Sequence, residues 1–458
     1  MTAPLLDALD EAHGGGLQDP HTDFPSWPAL ADRARALART WSSHFAGRRV
    51  ALDLPHGADL AAALWGALGA GATVIPFAPG IPPAARTARL ARLRVDHVVT
   101  TLPAPATAGK WPDVPPGCVA LLTSGSTGEP LAAHLSQDAL LANAQDIVVS
   151  LSLRPDDVTL CVPSFHHAYG LSVMTSHLLV GARVVVEPSS AFPASLLQTA
   201  TAAGCTGMSA VPTTYQLLMR GDLLARARPP RLRYANVAGG AVPGPVLPRL
   251  REVLGPAGLF VMYGQTEACA RLTCLPPADG AAAPGSCGYP LRRVELRISP
   301  DGEVLARGPN LMDGYLDEAA RTAEVLVDGW LHTGDLGGLD EAGRLHLLGR
   351  RKHVLKVGGT RIPPKVVEDA VHACAGVEAC AVVGAPDRLL GEVPVAFVVG
   401  AVDEAVILAT AAASLGPMER PRRVVRLDAL PRLPGGKPDL VRLRAMAAGQ
   451  DGGLSTPT

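Results

Sequence analysis

Lysine is nearly missing from this chain. It stands at five places among 458 residues, at 110, 352, 356, 365 and 437, and arginine supplies the rest of the 41 basic side chains. In an arginine-biased chain, a retained lysine is a candidate for a role that needs a compact ammonium, chance being the alternative. An excess of either charge sign is also missing. The 41 basic and 42 acidic residues leave a formal net charge of −1, so nothing draws the whole chain to nucleic acid or to an anionic membrane, and any anion site must be local. The eight cysteines, at 118, 161, 205, 269, 274, 287, 374 and 380, include no Cys-x-x-Cys pair. That argues against a zinc site and for free thiols in a reducing cytoplasm. The first residues, MTAPLLDALDEAHGGG, lack the basic start and apolar core of a signal peptide. A Walker A loop is absent too, since Gly128 is followed by Glu129 rather than by Lys-Ser/Thr.

One long uncharged stretch runs between Asp59 and Arg86. After Trp65 it holds four glycines and four prolines. A helix from Leu60 to Leu68, a glycine turn and a buried strand from Ala72 to Phe77 explain it better than a membrane span. With 48% hydrophobic and 18% charged residues, the chain is globular and long enough for two or three domains.

What is present is a series of apolar strands that end in polar or glycine-rich loops. Cys118 to Leu122 reads as a strand that runs into Thr123, Ser124, Gly125, Ser126, Thr127 and Gly128, a loop of hydroxyls and exposed N–H groups suited to a polyphosphate. A plain Gly/Ser turn is the alternative for that loop taken alone. Helices are expected over 24–48, 84–93, 137–151 (capped by Ser136) and 171–180, with strands at 49–54, 97–100, 158–163, 182–186, 207–211, 235–238 and 260–262. This alternation predicts α/β layers with a largely parallel sheet, and ligands then bind outside the carboxyl ends of the strands. From about residue 292 the texture changes. A hairpin is expected at 294–307 across Pro300-Asp-Gly302, a strand at 345–348, and a charged junction at 349–353. A compact α+β piece follows, with strands at 354–357, 377–383, 393–399 and 424–427 and helices at 364–375 and 403–415.

Laid in order, these stretches make the chain resemble the acyl-adenylate-forming superfamily of acyl-CoA synthetases, luciferases and non-ribosomal adenylation domains, over about residues 24 to 445. Thr123-Ser-Gly-Ser-Thr-Gly-Glu-Pro130 is similar to its phosphate loop, and Pro163-Ser-Phe-His-His-Ala-Tyr-Gly170 to its Pro-x-Phe-His segment. Tyr263-Gly-Gln-Thr-Glu-Ala268 is close to its Tyr-Gly-x-Thr-Glu motif, and Gly329-Trp-Leu-His-Thr-Gly-Asp335 to its Gly-Trp-x-x-Thr-Gly-Asp. Gly349-Arg-Arg-Lys-His-Val-Leu-Lys356 and Gly359 to Glu368 resemble its hinge and following helix, and Pro434-Gly-Gly-Lys437 its C-terminal lysine loop.

The resemblance implies an α/β fold: a large N-terminal domain of layered α/β subdomains over residues 1–349 and a small mobile α+β domain over 350–448. Residues 449–458 read as a disordered tail. It implies ATP-dependent activation of a carboxylic acid to acyl-AMP and pyrophosphate, then transfer to a thiol, with ATP, Mg2+ and CoA (or a carrier-protein phosphopantetheine) as cofactors. An amine acceptor, or a degenerate nucleotide-binding protein without catalysis, are the alternatives. By the same resemblance, residues 123–128 hold the pyrophosphate, Glu267 ligates Mg2+ and Thr266 bonds the α-phosphate. Lys437 meets the reacting carboxylate and α-phosphate. Gly239, Gly240, Ala241, Tyr263 and Gly264 receive adenine, and Asp335 and Arg350 the ribose. Ala238, Gly239 and Gly264 border the acid, and His166 or His167 gates it, the doubled histidine leaving the register open. Lys352 is the hinge, and Lys356, Gly358 and Gly359 line a thiol tunnel. Two departures stand out. Leu131 replaces the lysine expected after the phosphate loop, and His353 replaces an acidic residue after the hinge. A histidine where amino-acid-activating relatives carry an aspartate predicts an acid without an α-amine.

Overall fold

A computed structural model describes residues 3–78, 80–104, 106–123, 130–187, 192–240, 242, 246–432 and 438–449. Ser124, Gly125, Ser126, Thr127, Gly128, Ala241, Lys437 and the tail from 450 onward lie outside the described residues.

The N-terminal part holds two sheets. In the first, Arg49–Leu52 lies between Thr73–Pro76 and His97–Val99, all parallel, and Thr73–Pro76 is followed by the parallel Cys118–Leu122. Ala132–Leu135 then turns back antiparallel to Cys118–Leu122, so the expected phosphate loop joins two neighbouring strands of one sheet. In the second sheet, Arg183–Val186, Val158–Cys161, Gly207–Ala210, Tyr234–Val237 and Gly258–Tyr263 run parallel in that order, before Thr273–Leu275 and Ser286–Pro290 return antiparallel. The parallel strands read as short apolar runs because helices cover both faces.

The uncharged stretch becomes the helix Ala58–Gly69, buried at every residue but Asp59. A helix apolar all round belongs in a core. It packs against Trp27–Phe45, whose cap Ser26 accepts from the Ala29 N–H at 3.3 Å. Trp27 Nε1 donates to the Ala182 carbonyl at 2.9 Å, joining this helix to the second sheet. Among the described residues no helix is long and apolar enough to cross a membrane.

The hairpin forms as Glu295–Ile298 and Glu303–Arg307 and continues through Trp330–Leu339 and Leu345–Arg350 to Ser286–Pro290. Asp335 pairs with Arg350 across that ladder. The expected domain boundary at 349/350 therefore falls inside a strand, and the chain leaves the N-terminal sheet only at the turn Arg351–His353. Beyond it, Thr360–Ile362, Leu355–Val357, Gly391–Gly400 and Val377–Asp387 form an antiparallel sheet, with Arg423–Arg426 parallel to Gly391–Gly400. The helices Pro364–His372, Glu404–Ser414 and Leu440–Ala447 complete this α+β unit with its own core.

Several elements differ from the sequence reading. Pro212 ends a strand but also begins the helix Pro212–Met219, since proline at the first helical position loses no needed N–H. The helix after the paired histidines starts at Ala168, not Leu171. Asp335 sits mid-strand beside Gly334 at φ +70, where the ladder shifts register.

Candidate active site

The carboxyl ends of the second sheet bring the expected nucleotide residues together. Tyr263 ends the strand Gly258–Tyr263, and its hydroxyl donates to Asp335 Oδ2 at 2.7 Å. Arg350 Nε meets the other carboxylate oxygen of Asp335 at 2.7 Å. Burial, and then the Asp335 charge, push the Tyr263 hydroxyl well above its ordinary pKa, so it stays a donor.

Glu303 fixes this group from behind. Its buried carboxylate accepts from the Gly334 N–H at 2.9 Å and pairs with Arg351 at 2.9 Å and His332 at 3.1 Å. Arg351 also reaches Asp301 at 2.8 Å. Neither Glu303 nor Arg351 stands out in the sequence, because only long-range pairing gives them a role.

Thr266 and Glu267 lie in a single 3-10 turn directly after the strand end. The Tyr315 hydroxyl donates to Glu267 Oε1 at 2.9 Å, and the Glu267 carbonyl accepts from the Met312 N–H at 2.9 Å. Among the described residues nothing bonds Glu267 Oε2, and no cluster of three metal-ligating side chains exists. A single oriented carboxylate suits Mg2+, which keeps most of its shell for water and phosphate oxygens.

Gly239 and Gly240 are exposed at the end of Tyr234–Val237, while Ala238 is buried. Gly239 has φ +87, which a side chain would strain. At Gly264 the limit is space: an added Cβ would collide with the Ala270 carbonyl and lie 2.7 Å from Arg271 Cα.

The two histidines separate by burial. His166 is 2% exposed. One ring nitrogen lies 3.0 Å from the Leu54 carbonyl and the other 2.6 Å from Ser164 Oγ. Burial holds its pKa down to about 4. Its side chain is buried and engaged by protein groups, whereas a gating contact with substrate asks for an accessible one. His167 is exposed and caps the helix Ala168–Leu179. Behind it, the Tyr169 hydroxyl donates to Asn236 Oδ1 at 2.6 Å, and the Arg271 guanidinium lies 4.0 Å over the Tyr169 ring centroid.

On the C-terminal unit, Lys352 lies in the turn Arg351–His353, and Lys356 is exposed on Leu355–Val357 with its N–H bonded to Glu392 at 2.8 Å. Gly358 and Gly359 form the following turn at φ +56 and +82. Burial lowers the His353 pKa to about 4, with Lys352, Arg444 and Arg350 adding to the shift, so it stands neutral where an acidic residue was expected. Thr123 is at the mouth of the phosphate loop, its N–H bonded to the Leu131 carbonyl at 2.8 Å.

The family model described as AMP-binding enzyme matches residues 110–316, and that of the AMP-binding enzyme C-terminal domain matches 366–437. A 2-succinylbenzoate–CoA ligase of Bacillus cereus is 35% identical over 68% of this chain and 66% of that protein. The match thus spans just under two thirds of that relative's length. A feruloyl-CoA synthase of Amycolatopsis is 34% identical over 71% of this chain and 70% of its own length. The crystal structure of ATP-bound MatB from Rhodopseudomonas palustris superposes with a TM-score of 0.87 at 26% identity, covering 98% of this chain and 99% of that one. The chain belongs to the AMP-binding enzyme family, within the acyl-adenylate-forming superfamily of acyl-CoA synthetase-like enzymes.

Proposed function

We propose that this protein uses ATP to convert a carboxylic acid without an α-amine to acyl-AMP and pyrophosphate, and then passes the acyl group to the thiol of CoA. The observation that carries the reading is the Tyr263–Asp335–Arg350 group, held where the parallel strand Gly258–Tyr263 ends, with Thr266 and Glu267 in the turn that follows that strand. The relatives named as CoA ligases support the acceptor.

In the first half-reaction an acid oxygen attacks the α-phosphorus and pyrophosphate leaves. Two anions must approach, so prearranged donors and charge carry most of the catalysis. Asp335 accepts from the ribose hydroxyls while Tyr263 and Arg350 hold its carboxylate in place. The Thr266 hydroxyl donates to the α-phosphate. Glu267 would hold Mg2+, which would supply positive charge to neutralise the phosphates. Thr123 and the loop through Gly128 hold the leaving pyrophosphate, and Lys437 bridges the attacking carboxylate and the α-phosphate. His167, not His166, closes the acid side. In the second half-reaction the thiol sulfur attacks the acyl carbonyl and AMP leaves, with Lys356 and the turn at Gly358–Gly359 brought to the site by rotation about Lys352.

The test is pyrophosphate release over a panel of carboxylic acids, with and without CoA. Acid-dependent release, with acyl-CoA formed when CoA is present, is the expected result. Release without a CoA thioester moves the acceptor to a carrier protein or an amine, and no release with any acid rejects the reading.

A further inference from the structure

One buried cation beside this site has no counter-charge. Arg271 follows Ala268 by three residues and is 3% exposed. Its Nη1 donates to the Ala270 carbonyl at 3.2 Å, its Nε faces the Met262 sulfur at 3.4 Å, and its guanidinium covers the Tyr169 ring. Among the described residues no carboxylate pairs with it. The buried carboxylates of Asp157 and Asp146, by contrast, pair with Arg233 and Arg293, at 2.5 and 3.0 Å. The groups acting on its charge are Tyr169, Cys274 and Cys161, all normally neutral, and burial lowers its pKa. An arginine stays charged even so. Stacking on Tyr169 offsets part of the penalty, yet an apolar side chain of similar volume would fill the space without it.

The position of Arg271 gives the charge a use. Its Cα backs directly onto Gly264, and the edge of the Tyr169 ring it covers faces exposed Gly239, where an added Cβ would lie 3.9 Å from Tyr169 Cδ1. Gly239 and Gly264 are the two glycines that border the acid in the proposed reading. The cation thus stands one side chain behind the acid-facing surface. An ammonium approaching that surface is repelled by the buried positive charge, whereas an anion there supplies the counter-charge that no described carboxylate provides.

Resting on the proposed adenylation site, we infer that Arg271 receives a second anionic group of the substrate, so that the acid activated here carries a second carboxylate distal to the one that reacts. Reading specificity through a buried charge is efficient, because leaving that charge unpaired penalises the wrong ligand strongly.

The experiment compares succinate, glutarate, adipate, suberate and phthalate, each with its monomethyl ester, by kcat/KM for pyrophosphate release. At least one diacid is expected to exceed its ester by about a hundredfold or more, the range for an intact buried charge pair against a broken one. Arg271→Met should remove that advantage by lowering the diacid and leaving the ester unchanged or faster, and Arg271→Lys should keep part of it. Esters that match or beat their diacids in the unaltered protein overturn the inference, as does an Arg271→Met protein that slows both alike. If Arg271→Met does not fold, the ratio in the unaltered protein decides alone. Turnover of monoacids without discrimination removes only this inference; release with no acid removes the adenylation reading as well.

Discussion

His166 and His167 have the same side chain and differ only in what surrounds them. The motif marks a histidine at this turn, and the repeat hides which one faces the site; the structure buries His166 and exposes His167, which favours His167 in the proposed reading. His166 also predicts acid sensitivity. Its folded pKa of about 4 lies below the ordinary 6.5 because burial disfavours the cation, with His167 adding and the Leu54 carbonyl and Asp53 opposing. The unfolded chain therefore takes the proton first as pH falls. The stabilisation is fully present above about pH 6.5 and is lost toward pH 4, on the order of 2 kcal/mol by about pH 5. His56, lowered to about 3, and His177, lowered to about 4, add in the same direction. Urea unfolding at pH 7, 6 and 5 should show stability falling steeply, and less steeply in His166→Gln; equal slopes would contradict the assignment. Glu267 and Asp335 were legible from their motifs because each belongs to a short local pattern. Arg271 was not, since what distinguishes it is the lack of a nearby carboxylate, which no linear pattern reports.

At the scale of elements, the strand Trp330–Leu339 does the positioning. Asp335 follows a glycine, a setting that also suits a turn or cap carboxylate. The structure places it in a ladder whose register shift at Leu336/Gly337 and positive φ at Gly334 set the local course of the backbone. Glu303 pins that backbone through the Gly334 N–H. Glu303→Ala should cost about 2 kcal/mol by leaving the Gly334 N–H without its acceptor and Arg351 with Asp301 alone. It should also raise KM for ATP more than it lowers kcat, because Asp335 is displaced while Thr266 and Glu267 are untouched. A lower kcat at unchanged KM would assign Glu303 a different role. Strands and long amphipathic helices were readable because each carries its own period. The helices Pro4–Glu11, Pro193–Ala202, Pro212–Met219, Val246–Leu254 and Leu440–Ala447 were not. Three of them start at a proline, and all are short, so their signals resemble those of loops.

At the scale of the molecule, the functional residues fall on two units joined at Arg351–His353. The proposed ribose pair, Asp335 and Arg350, lies on neighbouring strands of the N-terminal sheet, while Lys356 lies on the C-terminal unit and the proposed catalytic Lys437 follows it in the chain. Such a division suits a two-step reaction in which one face of the small unit serves each step. Lys437→Ala should abolish adenylation, yet leave thioester formation from preformed acyl-AMP largely intact; loss of both half-reactions together would reject that division. The central claim is reversible adenylation of an acid at this site. Acid-dependent exchange of labelled pyrophosphate into ATP, measured with Mg2+ and no thiol, tests it most directly. Exchange is expected to require the acid and to disappear in Lys437→Ala. Exchange that proceeds without acid, or no exchange with any acid while ATP still binds, would contradict it.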